Sequence, residues 1–296
     1  MERIKILETS LFNTDDLTKY KDECFIEIKK NTLFYGILQN NGFGDDSIKA
    51  NIGTVHTYFL DYFEWQKIKT YDDVVKSGIK YDYTLKYDGK CIIRERGILA
   101  PFKEHLDYIS KFIVKDFDDS FDEVRLKDID NKGVKKDILN LCKNNSWIYL
   151  TGGIRSGRTY CAIAMTNSSA QKGNDHLAFI DCPKEIKRLS SLFFDNQNEF
   201  NSKLSALKNA YLLVLDSFGS EYINDIVRDS IIIPLLDYRA RNNLMTIFTS
   251  DFSLDDLIIL YSKKDKDGNN IRGKQLANIL QAKISKEIVT SKNSLY

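Results

Sequence analysis

From Trp147 to Tyr160 the chain reads Trp-Ile-Tyr-Leu-Thr-Gly-Gly-Ile-Arg-Ser-Gly-Arg-Thr-Tyr, an apolar strand entering a glycine-rich loop that opens a helix. In that geometry backbone N–H groups and a helix N-terminus point at phosphate, and the spacing follows G-x-x-x-x-G-K-[ST] with Arg158 at the lysine position. Gly152, Gly153, Ile154, Arg155, Ser156, Gly157, Arg158, Thr159 and Tyr160 are therefore the expected cradle for the phosphates of ATP. A tight strand-to-helix turn without a ligand would use the same glycines, so other residues must decide. A second apolar run, Tyr211 to Leu215, ends in Asp216, a carboxylate suited to holding Mg2+ beside a P-loop hydroxyl; Thr159 and Asp216 would share that ion. A third run, Thr246 to Asp251, ends in polar residues able to reach a γ-phosphate, which brings Asp251 into the candidate catalytic set.

Positioning these groups requires strands and helices in alternation. Trp147–Leu150, Leu177–Ile180, Tyr211–Leu215 and Leu244–Phe248 are short apolar runs, separated by amphipathic stretches over 158–172, 183–194 and 224–240. Strands that alternate with helices imply an α/β fold, a P-loop type parallel sheet flanked by helices. Residues 1–110 read differently, as a smaller, mainly helical domain with apolar residues at helical spacing (Phe25, Ile28, Leu33, Phe34, Ile37) and one β-hairpin. In the hairpin Tyr83, Leu85 and Tyr87 alternate with polar residues, and Asp88-Gly89 supplies the positive φ of a tight turn. The aromatic stripe Tyr58 to Trp65 fits core packing, with a partner-binding face as the alternative. The aspartate-rich segment over 111–137 reads as a surface linker, leaving 138–296 as the P-loop domain.

Forty-three basic and forty-two acidic side chains leave a formal charge of +1, so no global field draws the chain to a duplex or an anionic membrane. No run approaches the roughly 20 apolar residues of a membrane helix, and Met1-Glu2-Arg3-Ile4-Lys5 does not begin a secretory signal, so a cytoplasmic location without membrane contact is expected. The cysteines Cys24, Cys91, Cys142, Cys161 and Cys182 stand singly, which argues against a zinc knuckle and against a disulfide framework. Lys263, Lys264 and Lys266 form a local basic run, explained equally well by a solvated loop.

Several segments in order carry a resemblance: Leu213 to Glu221, Val227-Arg228-Asp229, Pro234 to Arg239, Phe248 to Phe252, Asp181 to Leu189, and Leu260-Tyr261-Ser262. Over 110–296 the chain resembles the DnaI and DnaC-type helicase loaders, AAA+ proteins that place the ring-shaped replicative DNA helicase on single-stranded DNA. The resemblance implies an AAA+ sheet, ATP with Mg2+, an N-terminal domain that meets the helicase hexamer, and assembly with further copies of the chain. It also places Arg239 at a position similar to that of an arginine that reaches a neighbouring subunit's nucleotide, with a surface arginine on a helix as the equal alternative. Departures stand beside the matches. Arg158 replaces lysine, and guanidinium is planar and bulkier than ammonium. Ser217 replaces the family's second carboxylate, a base contribution of about 10²- to 10⁴-fold. Asp251 replaces a polarising asparagine, and Glu221 is a weak substitute for the missing base. The late helix around Leu276 to Gln281 has no arginine, and the family's zinc cluster has no counterpart in Arg94 to Phe102. The expectation is a loader with ATP binding and weak or absent hydrolysis. Two alternatives stay open, an active ATPase of a DNA-remodelling pathway of transposition type and a nucleotide-free scaffold.

Overall fold

The computed structural model describes residues 14–144, 146–262 and 271–290; Met1–Lys5 and the lysines at 263, 264 and 266 lie outside them. The chain divides into two units, Met1–Asp107 and Tyr108–Tyr296.

In the first unit α1 (Thr14–Lys30), α2 (Thr32–Asn40), α3 (Asp45–Ala50), α4 (Ile52–Lys67) and α5 (Tyr71–Ser77) precede an antiparallel hairpin of β1 (Tyr83–Tyr87) and β2 (Ile92–Arg96); α6 spans Ala100–Ile109. The aromatic stripe is core. Phe34 is wholly buried, and the rings of Tyr58, Phe59, Tyr62 and Phe63 surround it at 5.0–6.3 Å. The hairpin turn works as expected: the Asp88 carboxylate accepts from the N–H groups of Lys90 and Cys91 at 2.9 Å, and Gly89 takes φ 98°. A capping box of Thr70 and Asp73 starts α5, and left-handed Gly78 ends it.

The second unit contains β3 (Phe112–Lys115), α7 (Lys132–Lys143), β4 (Ile148–Thr151), α8 (Arg158–Gln171), β5 (Leu177–Asp181), α9 (Cys182–Asp195) and α10 (Gln197–Asn209). It continues with β6 (Leu212–Asp216), α11 (Ile233–Arg241), β7 (Met245–Ser250), α12 (Leu254–Tyr261), α13 (Ile271–Lys283) and β8 (Glu287–Val289). The strands form one parallel sheet in the order β3-β5-β6-β7-β4-β8. Alternate residues bury on opposite faces. Tyr149, Ile180, Leu213, Leu215 and Phe248 pack in one apolar cluster, and Ile148, Leu150, Phe179, Val214 and Ile247 in the other. A six-residue π-helical stretch, Val227–Ile232, leads into α11, where Pro234 has no N–H to give the α-helical ladder.

Part of the segment read as a linker belongs to this unit. Phe112–Lys115 is the edge strand, pairing with β5, and Asn167 of α8 donates to the carbonyls of Phe121 and Val124 at 2.8 and 3.0 Å. The aspartates that suggested solvent find partners instead: Asp122 pairs with Lys115 at 2.9 Å, and Asp116 pairs with Lys184. Counting charge concealed Phe112, Phe117, Phe121 and Leu126, which pack on the sheet.

Candidate functional site

The site is built where β4, β6 and β7 end on the same edge of the sheet. After Thr151 the chain turns through Gly152 to Gly157, and α8 begins at Arg158. Gly157 sits at φ 85° as the residue before the helix, and no side chain caps the first turn, so its N–H groups face the loop as an anion site needs. Gly152 is forced by crowding: a Cβ there would lie 2.6 Å from the Thr290 carbonyl oxygen and 2.8 Å from Ser156 Oγ. Around Gly153 nothing stands within 4 Å of a Cβ, and Ile154 and Arg155 are exposed. Arg155 adopts φ 60°, a left-handed conformation costing an L-residue about 1–2 kcal/mol. Ser156 is buried and accepts from Thr290 Oγ1 at 2.8 Å, while Thr290 N–H donates to the Thr151 carbonyl, so the chain after β8 holds the loop. Tyr160 is half-buried against the core beneath α8.

Thr159 and Asp216 meet. The Thr159 hydroxyl donates to Asp216 Oδ1 at 2.9 Å, and Thr249 of β7 donates to the same oxygen at 2.6 Å. Thr249 Oγ1 also accepts from the Ser217 N–H at 2.9 Å, fixing the turn after β6, where Ser217 lies at φ 58°. Burial raises the Asp216 pKa above the ordinary carboxylate range; the Thr249 and Thr159 hydroxyls pull it back, Asp181 adds to the rise, and Arg158 opposes it. Asp181 stands opposite Asp216 in the parallel register. Sequence reasoning missed Thr249 as a ligand-side residue, along with Asp181 and Thr290 as supports. A repeated strand-end aspartate, Phe-Ile-Asp beside Val-Leu-Asp, was the available signal for Asp181.

Arg158 and Asp251 are brought together as an ion pair, Nη2 to Oδ1 at 2.5 Å. Arg158 Nη1 further donates to the Gly152 carbonyl at 2.8 Å and to the Ser250 carbonyl. Asp251 thus faces the loop's own cation, whereas the sequence suggested that it would face a γ-phosphate.

Arg239 is the clear correction. It is fully buried within the second unit and cannot reach a neighbouring subunit. Its guanidinium donates to the carbonyls of Leu207, Lys208 and Ala210 at 3.0, 3.1 and 2.8 Å, to that of Met245, and to Thr246 Oγ1 at 2.9 Å. The cation closes the C-terminal end of α10, where carbonyls lack helical partners, and ties it to the start of β7. Burial lowers its pKa, but a guanidinium filled with acceptors stays protonated. Glu221 is equally occupied, accepting from the Gly219 N–H at 2.7 Å and from the Tyr261 hydroxyl, so it is no base.

The residues fit a nucleotide's phosphates at the loop and one divalent ion at Thr159 and Asp216: an uncapped helix start, an open approach at Gly153, and a hydroxyl and carboxylate already paired. Fold and site together define a P-loop nucleotide-binding domain of the AAA+ type. Residues 103–265 match the family described as IstB-like ATP binding protein, and the chain belongs to that family.

A curated relative, the replicative helicase loader DnaI of Bacillus subtilis (strain 168), is 32% identical over 110 residues, 37% of this chain and 34% of the relative. The match therefore spans about a third of that protein's length. A crystal structure of DnaI superposes with a TM-score of 0.53 at 22% identity, covering 62% of this chain and 98% of the other, which shows the shared fold. Both relatives bear the name of the group that residues 110–296 resemble. Among the described residues no helix is long and apolar enough to cross a membrane.

Proposed function

We propose that the chain acts in DNA replication as a loader of the replicative helicase onto single-stranded DNA, binding ATP through its second unit and turning it over weakly or not at all. The carrying observation is the Thr159–Asp216 hydrogen bond at 2.9 Å beside the uncapped start of α8. The loop amides would hold the phosphates, and Thr159 with Asp216 would hold Mg2+, whose charge would offset that of the phosphates. Residues 1–110 would contact the helicase ring, and copies of the chain would assemble around it, as the resemblance to DnaI implies.

Weak turnover has a physical basis. Ser217 offers a neutral hydroxyl, Glu221 is consumed by Tyr261 and Gly219, and Arg239 is locked inside. At the strand ends Asp216 already accepts from the Thr159 and Thr249 hydroxyls and Asp251 is paired with Arg158, so neither carboxylate is free to take the proton of an attacking water.

The test is a titration of the full chain with labelled ATP and Mg2+, followed by capture of a purified hexameric replicative helicase and its transfer to single-stranded DNA. Saturable nucleotide binding, helicase capture and transfer with little phosphate release are expected. Rapid turnover abolished by Asp216→Ala would instead favour the remodelling ATPase. Helicase capture without any nucleotide binding would favour the scaffold.

A further inference from the structure

Arg158 stands where a P-loop cation reaches the β- and γ-phosphates. Here both terminal nitrogens of the guanidinium are engaged by the protein itself: Nη2 by Asp251 at 2.5 Å, Nη1 by the carbonyls of Gly152 and Ser250. The parallel register sets Thr151 opposite Ser250, so the loop start at Gly152 and the strand end at Asp251 continue side by side. The Arg158 side chain is only 14% exposed, while that of Asp251 is 48% exposed and presents its charge toward solvent. The cation is thus neutralised and strapped between the loop and β7, and a carboxylate lies where phosphate would meet positive charge.

Resting on the nucleotide-binding reading above, we infer that Asp251 determines specificity by standing in for a third phosphate on Arg158, so that the site takes a nucleoside diphosphate in preference to the triphosphate. A diphosphate needs the loop amides, the start of α8 and the Thr159–Asp216 pair, none of which Asp251 occupies. A triphosphate adds negative charge that must either displace Asp251 from Arg158 or sit beside it, and like charges in a partly buried site repel strongly. Arginine suits this pairing better than lysine, since its planar fork holds the carbonyls and the carboxylate at once. The pair also explains how an aspartate is tolerated next to a phosphate loop: its charge is matched within the protein.

The experiment titrates labelled ADP and labelled ATP, each with Mg2+, into the full chain, into Asp251→Asn and into the double variant Arg158→Lys with Asp251→Asn. Wild type should hold ADP more tightly than ATP by about tenfold or more; Asp251→Asn should tighten ATP by about tenfold while moving ADP by less than about threefold. The double variant should give ATP at least the affinity of ADP. The wild-type ratio requires no variant: equal affinities or a preference for ATP overturn the inference. Equal shifts of both nucleotides in Asp251→Asn, with circular dichroism unchanged, overturn it as well while leaving the nucleotide-binding reading intact. Absence of binding by every form removes that reading and this inference together.

Discussion

Replacing Arg239 by alanine tests whether this arginine serves the fold or a neighbouring subunit. The guanidinium donates to Leu207, Lys208, Ala210 and Met245 carbonyls and to Thr246, all inside the second unit, and has no exposed surface. Truncation strands several buried acceptors at the end of α10 and opens a cavity. Breaking such a buried charged network costs about 3–5 kcal/mol. For a unit of this size, about 2–4 °C of Tm accompanies each kcal/mol, so the melting temperature should fall by about 10 °C. Arg239→Lys retains the charge but gathers its donors at one point, so it should recover no more than about half of the loss. Urea unfolding followed by circular dichroism, with the m-value compared between variants, measures this directly. A variant within about 0.5 kcal/mol of wild type that loses only assembly-dependent behaviour would refute the internal role and restore an intersubunit one.

Asp216→Asn should raise stability near neutral pH while abolishing Mg2+-dependent nucleotide binding, because burial holds the native carboxyl above its ordinary pKa. The native state then binds the proton more tightly than the unfolded chain, so wild-type stability falls as pH rises from about 4 through that raised native pKa and stays lower above it; the variant's melting curve should lack this component, and equal pH dependence would contradict it. Gly152→Ala should cost about 2–3 kcal/mol, since the new methyl meets the Thr290 backbone oxygen at 2.6 Å; an unchanged melting temperature would show that the loop yields. Thr249→Val, which removes both the bond to Asp216 and the acceptor of the Ser217 N–H, should cost about 1–3 kcal/mol in urea unfolding and weaken nucleotide binding. Phe34→Ala should cost about 3–5 kcal/mol in the unfolding of the first unit, read from its tyrosine and tryptophan fluorescence.

Much of the sheet was legible because its strands are short apolar runs that end in glycine or aspartate, patterns that survive without knowledge of neighbours. β4, β5, β6 and β7 fall within a residue or two of their expected places. β3 and β8 were not legible. Phe112–Lys115 is four residues in a charged stretch and Glu287–Val289 is three, too short for a periodic signal, and each becomes a strand only because an adjacent strand supplies hydrogen bonds. The helix of 197–209 was likewise hidden, its few apolar residues, Phe200, Leu204 and Leu207, acquiring meaning from the face they bury.

The linear order of residues was enough to determine the glycine-rich turn before α8 and the strand-terminal carboxylate of Asp216 that meets Thr159, since glycine's conformational freedom and a strand-terminal aspartate are local properties that act through backbone geometry. Tertiary structure decided what the charged side chains do. Arg158 faces Asp251, Arg239 closes α10, and Glu221 is held by Tyr261, in each case because partners separated by many residues in the chain were brought within hydrogen-bonding distance. A charge's role depends on which opposite charge or acceptor it finds and on how much water is excluded, and neither is written in sequence spacing.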